Sequence, residues 1–295
     1  MTAERAAAAV RPSAPRMIVI TAVWGLCFVA ISWGLRDAPI LWFAALRSGM
    51  AGVALVGYGL LRGHHSPRRP RDWGLVSALA VTNAGIAFAA MFAGVAGLAA
   101  GVAAVLANAQ PLLILLPAWW LYREPVSVRT FGALAVGFTG LVVVAGPGGG
   151  GSGAALSLLA AAAITAGTLL ARRAGHLDLV MVSGWHFVLG GAALAVVAAG
   201  AEGAPGIAWT PRFVASLAFL SLVGTALAFV VWFAQAQRCA LGLLATWTFI
   251  VPVFGVAFGV VLLNERPGRW TVAGLVLVLA AMWAVLRGGR GRDAR

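Results

Sequence analysis

Residues 101–144 read GVAAVLANAQPLLILLPAWWLYREPVSVRTFGALAVGFTGLVVV. Two apolar runs flank a short polar hinge, Tyr122-Arg123-Glu124-Pro125. Extended to 97–121 and 128–146, each run approaches the roughly 20 residues a helix needs to cross a bilayer. Neither shows the roughly ten-residue alternation of a membrane barrel strand. Pro111 stands in the middle of the first run. There it removes a backbone donor and frees a carbonyl about one turn earlier.

Eight similar runs lie on either side, at 17–35, 40–61, 73–93, 154–171, 179–200, 213–236, 241–263 and 270–287. The chain is therefore expected to be an all-α integral membrane protein with ten transmembrane helices. Composition agrees: 62% of the 295 residues are hydrophobic and 10% are charged. A soluble domain carries roughly 25% charged residues, so this chain could not clothe a water-facing surface. The run from Met17 to Leu35 exceeds the roughly 7–15 residues of a signal-peptide core and reads as the first span.

The formal charge is +13, and every cation is arginine. With the N-terminus placed in the cytoplasm, the loops on the outer side carry Arg36, Arg212, Arg266 and Arg269. Arg47 lies within a span, and all other arginines fall on the cytoplasmic side. That bias orients the spans and puts both termini inside, at the cytoplasmic membrane. It also accounts for the basic balance without nucleic acid. Residues 1–16 and 288–295 are cytoplasmic tails.

The glycine-rich segment 147–153 divides the chain into two parts, 17–146 and 154–287, each with five spans. Its Gly148, Gly150 and Gly153 spell a nucleotide-loop pattern, but no strand precedes it, so it reads as a flexible linker. Sliding the chain on itself by 141 residues aligns Phe88 with Phe229, Phe92 with Phe233, Gly101 with Gly242, Pro111 with Pro252 and Glu124 with Glu265. An odd number of spans per repeat inverts the second copy. Inverted repeats underlie alternating access in many carriers, with the site near the midplane between them.

Residues 101–144, with Pro111, Glu124 and Gly132, echoed by Pro252, Glu265 and Gly274, resemble the EamA-like transporters of the drug/metabolite transporter superfamily. Trp24-Gly25 and Arg47 also match, and the second half departs in offering Ala166-Gly167 and no second arginine. The resemblance implies ten helices, cytoplasmic termini and a central cavity between the halves, lined by spans one, three, four, six, eight and nine. It implies small metabolites or drug-like compounds as substrates, usually exported. The expected function is a carrier for an amino acid or similar amphipathic compound. Multidrug or organic-cation efflux is the alternative.

Polar groups in hydrocarbon need a partner or a function. Asn83 lies within the third span, and Asn108 and Gln110 precede Pro111. They are candidate substrate ligands or interhelical hydrogen-bonding groups. Thr225 and Trp232 in the eighth span, and Thr246, Trp247 and Pro252 in the ninth, occupy matching places. Trp24, Trp185, Trp232 and Trp247 sit deeper than an interfacial belt and could stack on a substrate or pack against helices. Arg47 either snorkels or hydrogen-bonds structurally, or contacts a substrate carboxylate. His186 is either a buried neutral histidine or a proton-coupling group. Glu124 and Glu265, beside Arg123 and Arg266, read as helix-end ion pairs or gate elements. His64 and His65 read as solvated loop.

The expected partners are a small-molecule substrate and the bilayer. The pairs Gly97/Gly101 and Gly255/Gly259 mark close helix packing, within the chain or in a homodimer. No cofactor or metal is expected, since the cysteines and histidines lack ligand spacing. An integral membrane enzyme would need an acid, base, nucleophile or metal set within reach, and none is spelled out. Rings of polar residues, the mark of a channel, are likewise missing from the runs.

Overall fold

The computed structural model describes residues 12–113, 128–146, 151–175, 177–236 and 246–290. Every regular element among them is helical. The helices are α1 (Ala14–Gly34), α2 (Ile40–Leu61), α3 (Pro70–Ala96), α4 (Ala100–Ala107), α5 (Gln110–Leu113) and α6 (Val128–Ala145). After the linker come α7 (Ser152–Ala171) and α8 (Leu179–Ala201), then α9, which joins Pro211–Ala218, Phe219–Leu227 and Ala228–Ala236. A 3-10 turn at Thr246–Ile250 leads into α10 (Val251–Leu263), and α11 is Arg269–Arg290.

Among the described residues, six helices are long and apolar enough to cross a membrane: α1, α2, α3, α7, α8 and α9. The fourth and ninth runs differ from the single helices expected of them. The fourth breaks at Asn108-Ala109, between α4 and α5. The ninth enters α10 through its 3-10 turn. Proline explains both places, because it cannot donate and crowds the turn before it. Residues 114–127 and 237–245, at the other ends of these runs, lie outside the described residues.

Sequence signals set several helix starts. Pro15, Pro70 and Pro211 stand in the first turn, where no donor is lost. Asp178 caps α8, its Oδ1 accepting from Val180 and Met181. Thr210 caps α9 through the Phe213 N–H. Asn264 ends α10 at φ 55°, the left-handed conformation asparagine tolerates.

Packing has an internal order. α2 lies along α8, α4 along α10, and α6 along α11. α1 packs on α9 and α10, just as α7 packs on α3 and α4. α2 meets the middle of α9, and α8 meets the middle of α3. Each pairing thus returns when the first five runs are exchanged for the last five. The middles of α3 and α9 are both π-helical, at Ala80–Ile86 and Phe219–Leu227. The shift of 141 residues lays one upon the other. Such wide turns recur at functional positions in helices.

Candidate functional site

The π turn of α3 points Asn83 at α7. A methyl group placed on Gly167 would sit 2.0 Å from the Asn83 Oδ1, so glycine there makes room for the amide. One residue along α7, Thr168 accepts a hydrogen bond from Gln110 Nε2 at 2.7 Å. The Thr168 hydroxyl itself donates to Ile164 O at 2.8 Å. Asn83 and Gln110, predicted from sequence, therefore meet on one short stretch of α7, beside the α4–α5 break. Asn108 does not join them by a side-chain bond. Its Nδ2 donates to Ala104 O at 2.8 Å, one turn back, and so closes the end of α4 ahead of the break. The side chains of Pro111 and Thr246 lie outside the described residues, as does Glu124.

The helices that exchange with α3 and α7, namely α9 and α1, supply aromatic surface at other positions along their length. Trp24 of α1 and Trp232 of α9 have ring centroids 5.3 Å apart. Trp247, in the 3-10 turn, packs with them over Met17 and Ile20. All three indoles are half-buried. Helices α3, α5 and α7 thus carry an amide pocket, and α9, α1 and the 3-10 turn before α10 carry an indole pocket. Pro252 is buried in the first turn of α10.

Two predicted residues stand apart from these pockets. Trp185 donates its Nε1 hydrogen to Ser66 Oγ at 3.0 Å and meets Trp73 edge-on at 5.3 Å. It fixes the loop before α3. His186 is 2% exposed, with Nδ1 at 3.1 Å from Val182 O. Its Nε2 has no partner among the described residues.

Arg47 is 5% exposed, so it does not snorkel. Its Nε donates to Thr225 Oγ1 at 3.3 Å, and its guanidinium lies over the Phe88 ring at 4.4 Å. Burying a charge costs several kcal/mol, whereas a cation–π contact returns only about 2 kcal/mol when desolvated. The contacts of the side chain leave it undercompensated.

The ends of the helices hold further carboxylates. Glu265 accepts from the Ala100 N–H and, at 3.0 Å, from the Gly101 N–H, capping α4 from the loop after α10. Its bonds go to backbone amides, where a helix-end ion pair or a gate element was expected. Beside it a cleft of about 160 Å³ is lined by Gly101, Val256, Glu265 and Thr271. Glu202 caps α2 in the same manner, accepting from Leu41 at 2.9 Å and Trp42 at 3.1 Å. His64 pairs with Asp178, so that loop is tied to α8 where solvated loop was expected. Neither Glu202 nor the His64–Asp178 pair carries a local sequence signal.

Asp37, between α1 and α2, accepts from Arg212 Nε and Nη2 at 2.9 and 2.8 Å. The Arg212 bond, then that from Thr210, hold its carboxyl below the ordinary value of 3.8. A lowered carboxylate stabilises the fold above its unfolded value, and that contribution fades as pH falls through the folded one. Asp37→Asn should thus lower the melting temperature modestly at pH 6, and the gap from the parent should close below pH 3.8. A constant gap across that titration would argue against the pair.

Among known proteins, the family profile described as "EamA-like transporter family" matches residues 15–146 and again residues 151–287. The "Probable amino-acid metabolite efflux pump" of Salmonella typhimurium is 26% identical over 290 residues, covering 93% of this chain and 95% of its own. The "Uncharacterized transporter YvbV" of Bacillus subtilis is 27% identical over 274 residues, covering 88% and 90%. The chloroplastic "WAT1-related protein At3g02690" of Arabidopsis thaliana is 28% identical over 283 residues, or 89% of this chain and 66% of that longer protein. A solved crystal structure matches with a TM-score of 0.70 over 94% of this chain and 98% of that one, at 20% identity. At that identity the likeness speaks for the fold alone.

Proposed function

Because the chain belongs to the EamA-like transporter family, a family of multi-pass membrane transporters for small molecules, we propose that it exports an amino acid or similar amphipathic metabolite by alternating access. The ten spans form two inverted five-helix repeats, 17–146 and 154–287, in the cytoplasmic membrane with both termini inside. The substrate sits between the amide pocket of Asn83 and Gln110 and the indole pocket of Trp24, Trp232 and Trp247. The carrying observation is that the two pockets form on helix pairs that the packing exchanges, α3 with α7 and α9 with α1, each near a helix break. Breaks at the midplane expose backbone groups that a ligand can meet, and repeats related by exchange can rock about such a site. The efflux-pump relatives favour an amino-acid metabolite. The paired indoles favour organic cations as the second reading.

Counterflow tests the proposal. Proteoliposomes are loaded with unlabelled amino acids or organic cations, tracer is placed outside, and pH is equal or unequal across the membrane. Saturable tracer accumulation with an amino acid is the expected result. Accumulation with organic cations alone would hand the site to the second reading, and flux without saturation would end the carrier reading. Asn83→Ala with Gln110→Ala, in protein that elutes as the parent does, should reduce saturable uptake by about tenfold or more, since each lost polar contact costs roughly 1 kcal/mol. Unchanged kinetics would remove both amides from the site.

A further inference from the structure

Arg47 holds a buried donor that no group of the described protein meets. Its Nη1 has no hydrogen-bond partner among the described residues. None of the ion pairs formed by the described residues involves it. Thr225 accepts from Nε alone, at 3.3 Å, and passes its own hydrogen to Leu220 O at 2.8 Å, five residues back in the π turn. Around the guanidinium lie the Phe88 ring at 4.4 Å and the Phe92 ring at 5.7 Å from its carbon, and the buried Cys27 thiol. Phe88 in turn stacks on Phe187 at 5.6 Å.

We infer that Arg47 is the recognition group for a carboxylate on the transported compound, so the substrate is a monocarboxylate with an apolar body. The inference rests on the carrier reading above and sharpens its substrate class. The guanidinium fork matches the two oxygens of a carboxylate, and in a site this dry a charge-assisted pair gains much more than a neutral amide would. A single cation balances a single negative charge, which disfavours a phosphate dianion. The ring faces around it accept hydrocarbon. Placement fits as well. Phe88 lies five residues beyond Asn83 on α3, roughly 7–8 Å along the axis at 1.5 Å per residue. Arg47 and the amides therefore lie at neighbouring levels of α3.

Matched ligands test this on the purified protein. Phenylalanine, 3-phenylpropionate, phenylalaninamide and phenethylamine share one apolar body and differ in the carboxylate. Each is assayed by thermal stabilisation in detergent and by counterflow. The parent protein should prefer the two carboxylates by roughly tenfold or more, as a site built for one polar group rejects analogues lacking it. Arg47→Lys should keep part of that preference, and Arg47→Gln should lose it. A parent that treats amide and acid alike overturns the inference without any variant, as does a folded Arg47→Gln that still prefers acids. Should Arg47→Gln fail to fold, the parent's ratio still decides. Acid-selective stabilisation without counterflow would keep the carboxylate site and end the carrier reading. Counterflow of phenethylamine with no acid preference would do the reverse, and silence in both assays would reject both.

Discussion

Gly191→Leu should leave little folded protein, whereas Gly57→Leu should purify as the parent does. Both glycines lie in the α2–α8 pair. A methyl on Gly191 would come within 2.6 Å of the Gly49 nitrogen and 3.0 Å of the Ala45 carbonyl oxygen. These are backbone atoms, so no rotamer change relieves the clash and the two helices must separate. Nearby, a methyl on Gly52 would lie 2.5 Å from the Val188 nitrogen, and one on Gly184 would lie 2.9 Å from the Val56 nitrogen. A methyl on Gly57 meets nothing within 4 Å. Overpacking a tight interior costs about 1–3 kcal/mol and more when nothing can move. A total stability of roughly 5–15 kcal/mol leaves little to absorb that. Gel filtration and melting in detergent would measure it, and equal profiles for the two variants would contradict the tight crossing.

Glu265→Ala should open the end of the α4–α10 contact. That contact is close: a methyl on Gly255 would lie 2.3 Å from Ala104 Cβ, and one on Gly259 would lie 3.4 Å from the Gly101 nitrogen. The carboxylate bonds two amide hydrogens at the start of α4, where the helix dipole favours negative charge. Losing a charged cap costs about 1.5–3 kcal/mol, on the order of ten- to a hundredfold in an opening equilibrium. A cysteine at Val102, beside the cleft, would report it in a chain freed of Cys27 and Cys239. Its reaction with a membrane-impermeant maleimide should quicken by that factor in Glu265→Ala and less in Glu265→Gln, which keeps one acceptor oxygen. Unaltered labelling would leave Glu265 as a local cap with no part in opening.

Much of this architecture is legible in the chain itself. Apolar run length gives the helices, and the 141-residue shift gives the repeat; the exchange of packing partners and the matched π turns agree with that repeat but carry no signal of their own in the sequence. The positions of Asn83 and Gln110 follow from the cost of amides in hydrocarbon. Their meeting on Gly167 and Thr168 does not, because periodicity fixes which residues share a helix face and says nothing about which helix lies opposite. The caps are hidden for a related reason. Glu202 stands 161 residues from Leu41, beyond any local signature. Arg47 was visible as an intruder in an apolar run. That it is buried rather than snorkelling depends on Phe88, Phe92 and Thr225, which come from other spans.

The cross-chain caps also bear on how the protein is made. Three helix starts of the first half rely on side chains of the second: Ser13 N–H on Gln235, Leu41 and Trp42 on Glu202, Ala100 and Gly101 on Glu265. A ribosome delivers the first half before any of these acceptors exists. Until then those amide ends must be met by water or by lipid headgroups. The early helices can thread the bilayer as they emerge, but their alignment waits for residues synthesised last. Release of the finished chain, more than insertion of any single helix, is then the event that locks the bundle.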